Sequence, residues 1–164
     1  MLRCAPTTTM IEGVRYVHTN LIARDWRRLA SFYEAVFGCE IVPPVRDFAA
    51  REVDNGTGVP GAGLQGAHLR LPGHGPNGPT IEIFTYSDQL ERAPTAANRP
   101  GFGHIAFLVR SVPDARNNVL AAGGRPVGEI VTVTTATGTQ ITWCYVTDPE
   151  GNIIELQASS SRQL

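Results

Sequence analysis

The stretch that decides the fold is GFGHIAFLV at residues 101–109, which is apolar apart from its glycines and His104. A short run of this kind is typical of a buried strand. An ionisable imidazole in a buried strand needs a partner, because burying a polar group without one costs free energy. The partner must come from another part of the chain.

The surroundings of His104 are repeated earlier in the sequence, around His18. Residues 14–22 (VRYVHTNLI), like the stretch around His104, are predicted to form a strand, and a helix is expected to begin seven residues after each histidine. The two histidines are 86 residues apart, and so are Gly38 and Gly124, where the two helices are predicted to end. The equal spacing of two different markers indicates an internal repeat.

Both helices have clear end signals. The first is predicted to run from the N-cap Asp25 to Gly38, and the second from the N-cap Ser111 to Gly123-Gly124. The other predicted strands are rich in apolar and β-branched residues and cover 39–44, 67–72, 80–86, 125–135, 139–148 and 152–158. The sequence therefore predicts an α+β fold made of two βαβββ modules.

The predicted organisation is one domain over residues 13–158, flanked by short tails. The N-terminal tail, first module, linker, second module and C-terminal tail are expected at 1–12, 13–86, 87–101, 102–158 and 159–164. Pro43 and Pro44 are expected to end a short strand. The glycine-rich segment 44–66 is predicted to be a long loop, in which 54–65 form either a substrate lid or a disordered segment.

The last strands of the modules also match, because TIEIF contains Glu82 and NIIEL contains Glu155. Each module thus supplies one histidine on its first strand and one glutamate on its last. A buried carboxylate either loses its charge or pairs with a cation. One divalent ion (Zn, Ni, Co, Fe or Mn) satisfies all four groups together. His104 or Glu82 taken alone is better explained by hydrogen bonding or solvent exposure. Four such residues at equivalent places in two modules predict a metal site of His18, Glu82, His104 and Glu155.

GFGHIAFLV, DPEGNIIEL, TIEIF and FYEAVFGCEIV together resemble the vicinal oxygen chelate superfamily, over about residues 13–158. That superfamily includes glyoxalase I, methylmalonyl-CoA epimerase, extradiol dioxygenases, and fosfomycin- and bleomycin-resistance proteins. The resemblance implies that the two modules form a curled mixed sheet around a central metal cleft. It implies metal ligands of the glyoxalase I type at the four predicted positions. It also implies a homodimer, since some members complete the site across the subunit interface.

The activity implied by this resemblance is proton transfer through a metal-bound enediolate. The enzyme is expected to be an isomerase, lyase or epimerase, similar to lactoylglutathione lyase or methylmalonyl-CoA epimerase, acting on a small oxygen-chelating substrate. Glu82 or Glu155 is expected to move the proton, so both are candidate catalytic residues. Tyr86 and Gln157 share strand faces with these glutamates and are predicted to bind substrate.

Two other functions stay open at this point. An Fe(II) extradiol-type dioxygenase would use His18, His104 and Glu155 as a facial triad, but Glu82 would then occupy a position that the substrate needs. A metal-free binding protein of the bleomycin-resistance type would need none of these residues. A dioxygenase consumes oxygen, an isomerase does not, and a binding protein requires no metal.

Composition and charge argue against nucleic-acid and membrane partners and predict where the protein is located. The formal net charge is −1, with 14 basic and 15 acidic residues, and no basic cluster predicts nucleic-acid binding. No apolar run approaches the roughly 20 residues of a membrane span, and no signal peptide is recognisable, so we expect a cytoplasmic protein. Three widely spaced cysteines, Cys4, Cys39 and Cys144, are expected to be reduced.

Two further histidines lie between the predicted ligands of the first module. His68, in the strand AHLRL, is interpreted as a packing or solvent-facing residue rather than a ligand. His74 lies in a glycine- and proline-rich turn and is expected to be exposed.

Overall fold

A computed structural model describes residues 10–160 of the 164-residue chain. In chain order its elements are β1 His18–Ile22, α1 Trp26–Phe37, β2 Glu40–Phe48, α2 Arg51–Thr57, β3 Leu64–Arg70, β4 Thr80–Tyr86, β5 Ile105–Leu108, α3 Val112–Ala121, β6 Arg125–Pro126, β7 Val131–Thr134, β8 Gln140–Thr147 and β9 Ile153–Ser160. Within residues 10–160, no helix has the length and apolar character needed to cross a membrane.

Each module builds its own mixed sheet. The first sheet has the strand order β1-β4-β3-β2, and the second has the order β5-β9-β8-β6, with β7 also paired to β8. The first strand of each module runs parallel to the last one, β1 beside β4 and β5 beside β9, while the other pairs are antiparallel. The α+β class and the two-module organisation are thus confirmed. Within one chain, however, the two sheets do not close around a single cleft.

One face of each sheet packs into a core that both modules share. Phe37 of α1 stacks on Phe107 of β5, with ring centroids 4.1 Å apart. Fully buried side chains of both modules join this core, including Leu29, Leu69, Ile81, Ile83, Val119, Val146, Ile154 and Leu156. Burial of one such side chain contributes roughly 1.5–3 kcal/mol. The opposite sheet faces, which carry His18 and His104, stay exposed.

A buried polar contact also joins the modules. The Tyr33 hydroxyl in α1 donates to Asp148 Oδ2 over 3.1 Å, and both residues are buried. Asp148 also accepts hydrogen bonds from the backbone of Glu150 and Asn152, and from the Asn152 amide. Burial, and then the Asp148 carboxylate, raises the pKa of Tyr33, so the phenol keeps its proton and remains a donor. The contact therefore fixes the turn before β9 against the helix of the other module.

Three of the predicted helix ends are confirmed, at Asp25, Gly38 and Ser111, whereas α3 ends at Ala121 with Ala122 as its C-cap, just before the predicted Gly123-Gly124. The Asp25 carboxylate accepts hydrogen bonds from the first backbone N–H groups of α1, and the Ser111 hydroxyl accepts one from Asp114. Gly38 ends α1 in the left-handed conformation, with φ = 67°, which favours glycine.

The prediction that Pro43 and Pro44 end a strand is wrong, since β2 runs through both. Strand β2 lies at the sheet edge and pairs with β3 alone. Its register shifts between Val42 and Arg46, so neither proline has to donate a hydrogen bond to a neighbouring strand.

Segment 44–66 is largely ordered rather than one long loop. It contains the end of β2, the short helix α2 and the start of β3. The Asp54 carboxylate accepts hydrogen bonds from the backbone N–H groups of Gly61 and Ala62, at 2.9 and 2.8 Å. These contacts tie the glycine-rich turn after α2 to the helix itself.

Some predicted boundaries shift by a few residues. His104 directly precedes β5 instead of lying within it, and β9 continues to Ser160, two residues into the predicted C-terminal tail. Residues 1–9 and 161–164, with Cys4, lie outside the described residues. Cys39 and Cys144 are buried free thiols. Burial raises the pKa of Cys39 to about 11, so this thiol stays protonated.

Tyr33→Phe is expected to lower the free energy of unfolding by about 1.5–3 kcal/mol, because it removes a donor from a buried carboxylate. Urea denaturation followed by circular dichroism measures this loss. Tyr16→Phe is the matched control, since the Tyr16 hydroxyl lies on the surface, and it should change stability by less than about 0.5 kcal/mol. Equal midpoints for the two variants would contradict the role of this contact.

Candidate metal centre

In the first module, parallel pairing places His18 next to Glu82. Asn20 of β1 is aligned with Glu82 of β4, and His18 lies on the same strand face as Asn20. His18 Nε2 is 3.1 Å from Glu82 Oε2, and Asn20 Nδ2 donates to the same oxygen over 3.0 Å. The predicted histidine and glutamate of this module are therefore in direct contact.

The second module repeats this arrangement. Strand β5 runs parallel to β9, with Ala106 aligned with Glu155, and His104 directly precedes β5. His104 Nε2 lies 3.0 Å from Glu155 Oε2. The ring centroid of Tyr145, on β8, is 5.0 Å from that of His104.

The four predicted ligands thus form two separate pairs. Within residues 10–160, one group of three or more possible ligand atoms lies within 4.8 Å, and it consists of His18, His68 and Glu82. His104 and Glu155 are not part of it. One chain therefore presents two half-sites, one on the exposed face of each sheet.

His68 is the residue of this centre that sequence reasoning missed. Its Nε2 lies 2.8 Å from Glu82 Oε1, and its Nδ1 lies 3.1 Å from Thr80 Oγ1. Its side chain is only 20% exposed, so it contacts the predicted ligand instead of solvent. Counting outwards from the predicted turn at 73–79 would have placed Arg70 opposite Glu82. The structure joins the two strands through residues 71–79, with Arg70 opposite Thr80, and this register places His68 opposite Glu82.

The surroundings of His68 favour its neutral form. Burial lowers the pKa of His68, the Glu82 carboxylate opposes this shift, and Arg46 and His18 add to it. A neutral imidazole keeps the lone pair that a metal ion requires.

The donor set of the first module suits a divalent cation. The side chains of Glu82, His68 and His18 are 15%, 20% and 36% exposed, so a carboxylate and two imidazoles share a half-buried position. Zinc-to-ligand bonds of about 2.0–2.2 Å place neighbouring ligand atoms about 3–3.5 Å apart. The His18–Glu82 and His68–Glu82 contacts of 3.1 and 2.8 Å are close to that spacing.

Comparison with known families identifies the fold. Residues 15–156 match the sequence profile of the Glyoxalase/Bleomycin resistance protein/Dioxygenase superfamily. The chain belongs to this superfamily. The resemblance to vicinal oxygen chelate proteins is therefore confirmed at the level of the superfamily. No curated protein gives a significant match.

Solved structures of glyoxalase-type proteins share the fold. A glyoxalase family protein from Bacillus cereus is 16% identical, with a TM-score of 0.73, and the match covers 95% of this chain and 99% of that one. A genomically encoded fosfomycin resistance protein from Listeria monocytogenes is 20% identical, with a TM-score of 0.56 and coverage of 92% and 96%. At these identities the similarity shows the fold alone.

In this glyoxalase-superfamily chain, a cavity of about 750 Å³ lies between β1, the linker and the start of β5. Asn20, Tyr86 and His104 line it together with apolar side chains such as Phe102. Its volume suits a small organic molecule. Of the two residues predicted to bind substrate, Tyr86 lines this cavity, whereas Gln157 lies on β9 opposite Trp143 and outside the lining.

Glu82→Gln is expected to lower the pKa of His68 further in the metal-free protein. The substitution removes the negative charge that opposes the effect of burial on the imidazole. NMR titration of the histidine ring signals measures this shift. Glu129→Gln is the matched control and should leave the His68 titration unchanged, because Glu129 is exposed and is not among the charges that shift the pKa of His68. A His68 titration that is identical in wild type and Glu82→Gln would refute the coupling.

Proposed function

We propose that this protein is a divalent-metal-dependent enzyme that transfers a proton on a small substrate with two neighbouring oxygens, as an isomerase, lyase or epimerase. The observation that carries the proposal is the repeated His–Glu pair on the exposed face of each sheet. Superfamily membership supports a metal centre at these positions. The proposed ligands are His18, Glu82, His104 and Glu155.

The two half-sites form one complete site if a second copy of the chain is present. Among the described strands, β1 and β5 each lie at the edge of a sheet, next to the exposed face that carries a His–Glu pair. Large apolar side chains near these edges are exposed, namely Val17, Ile22, Leu90, Phe102 and Leu108. We infer a homodimer in which His18 and Glu82 of one protomer face His104 and Glu155 of its partner.

The two carboxylates are expected to have different roles. A bound divalent ion supplies Lewis acidity, which makes a C–H next to a substrate carbonyl easier to deprotonate. Glu82 is held by His18, His68 and Asn20, so its oxygens are already engaged. Among the described residues, the one polar side-chain contact of Glu155 is with His104. Glu155 is therefore the better candidate for the group that removes and returns the proton.

The cavity beside the half-sites supports a small substrate. The exposed Phe102 and Leu90 give it apolar surface, and the amide of Asn20 and the phenol of Tyr86 add polar groups. Contact with apolar walls removes water from a bound molecule, which strengthens the electrostatic effect of nearby charges on it.

The purified protein is expected to hold about one equivalent of a divalent metal per chain, measured by elemental analysis. Glu82→Ala should lose most of it, because this carboxylate contacts both imidazoles of its half-site. His74→Ala, in the exposed turn, is the matched control and should keep the metal. A wild-type protein that binds no metal even after reconstitution would instead support the metal-free binding function.

The metal-loaded enzyme is expected to exchange a substrate proton for deuterium in D₂O, which NMR detects. The probes are 2-oxo acids, hemithioacetals and acyl-CoA thioesters. Glu155→Gln should reduce the exchange rate by about 100-fold or more, since a positioned general base typically contributes that much. Unchanged exchange in Glu155→Gln would assign the proton transfer to another group.

Mixing two inactive variants tests whether the site spans two chains. Glu82→Ala damages the first half-site and His104→Ala the second, so a mixed dimer retains one intact site if the pairs meet between chains. Random exchange of subunits should then restore about a quarter of the wild-type activity. If the mixture stays inactive although gel filtration shows mixed dimers, the two-chain site is ruled out.

A second candidate function is an Fe(II) dioxygenase. It is favoured by the two imidazoles and one carboxylate of the first module, which is the donor set of non-haem iron oxygenases. Oxygen uptake by the iron-loaded protein with catechols distinguishes this function from proton transfer, which consumes no oxygen.

A further inference from the structure

We infer that His68 is a third metal ligand, so that the first module of a single chain holds a divalent cation without the second half-site. This inference rests on the proposed function in one respect, since it places the ion at the same His18–Glu82 pair. It goes further because it names the ligand that allows this half-site to bind the ion by itself.

Three neighbouring strands converge on this position. His18 comes from β1, Glu82 from the central β4 and His68 from β3, so Glu82 lies between the two histidines. Each imidazole contacts a different carboxylate oxygen, His18 at Oε2 and His68 at Oε1. The two rings meet edge to face, with centroids 5.5 Å apart. Two nitrogens and one oxygen are thus gathered on one side of the sheet.

Hydrogen bonds hold His68 and Glu82 in the way that metal ligands are usually held. A metal-binding histidine usually has its second ring nitrogen held by a hydrogen bond, which fixes the tautomer and the ring orientation. For His68, Thr80 Oγ1 lies at Nδ1, so Nε2 is the nitrogen directed at the centre. Asn20 holds the Glu82 carboxylate in the same way. Neither contact blocks the ligand atom of His68.

The two modules differ at the residue that faces the glutamate from the neighbouring antiparallel strand. In the first sheet, the residue paired with Glu82 on the neighbouring strand is His68. In the second sheet, the residue paired with Glu155 is Tyr145. The second half-site is therefore left with one imidazole and one carboxylate, whereas the first has an additional imidazole. The cation belongs to the first module, and the second module completes its surroundings.

This assignment also affects the proposed chemistry. An ion held by three donors of one chain does not depend on Glu155 for its retention. Glu155 of the partner can then move a proton while the cation stays in place.

The test uses the double variant His104→Ala/Glu155→Ala, which removes both donors of the second half-site. Zn²⁺ or Co²⁺ alone is the probe, measured by elemental analysis after dialysis and by the visible spectrum of Co²⁺. The double variant should keep about one equivalent per chain. Adding His68→Gln should weaken binding by more than about 100-fold, because losing a ligand exceeds the usual 10–100-fold effect of losing an outer contact. Adding His74→Ala instead should change nothing.

Each outcome separates the hypotheses. If the wild type holds the ion but the double variant does not, the His68 inference is overturned and the proposed four-ligand site survives. If the wild type holds none after reconstitution, the proposed function fails together with the inference. Glutamine keeps an amide that can donate to Glu82. If the ion is retained after His68→Gln, His68 is a hydrogen-bond donor to Glu82 and not a metal ligand. Circular dichroism of each variant verifies the fold.

Discussion

The packing of both sheets against one shared core determines where every other feature of this molecule lies. Helix α1 contributes to both modules, through the stack of Phe37 on Phe107 and the hydrogen bond from Tyr33 to Asp148. Because this core covers one face of each sheet, the other face is left for polar side chains. Strand alternation then directs His18 and His104 outwards, while Leu21 and Ile105 face the core. The separation of the two half-sites follows from the packing and not from the strands themselves.

Glu82 shows how the exposed face stabilises a charge that is mostly removed from water. Its side chain is 15% exposed, and a carboxylate in that position needs donors or cations. Two imidazoles and the amide of Asn20 supply them, from strands on both sides of β4. A divalent ion would replace these hydrogen bonds with stronger interactions, while keeping the same three strands in register. The two imidazoles and the Asn20 amide that contact Glu82 in the metal-free chain therefore also leave the donor set in an arrangement that suits a cation.

The repeat was readable from the sequence because the two modules keep the same spacing between histidine and helix end. It predicted that each module supplies one histidine and one glutamate, and the parallel pairing of the first and last strands brings each pair into contact. It did not predict that the pairs lie apart within one chain, because spacing says nothing about which sheet faces the helices cover. His68 depends on hairpin register, which needs the exact length of the turn. The path of β2 through Pro43 and Pro44 depends on its edge position, which only the assembled sheet defines.

The two modules cease to be equivalent at the residues around each glutamate, where His68 and Asn20 of the first module correspond to Tyr145 and Ala106 of the second. Duplication of one unit gives two equal half-sites, and two equal half-sites around one ion give the carboxylates equal roles. In the first module, His68 engages the second oxygen of Glu82 and Asn20 donates to the first, whereas Glu155 has one polar contact, with His104, among the described residues. A strongly held carboxylate is suited to retaining a cation, whereas a loosely held one is suited to exchanging protons. Under the proposed function, these differences in contacts assign cation retention to Glu82 and proton transfer to Glu155.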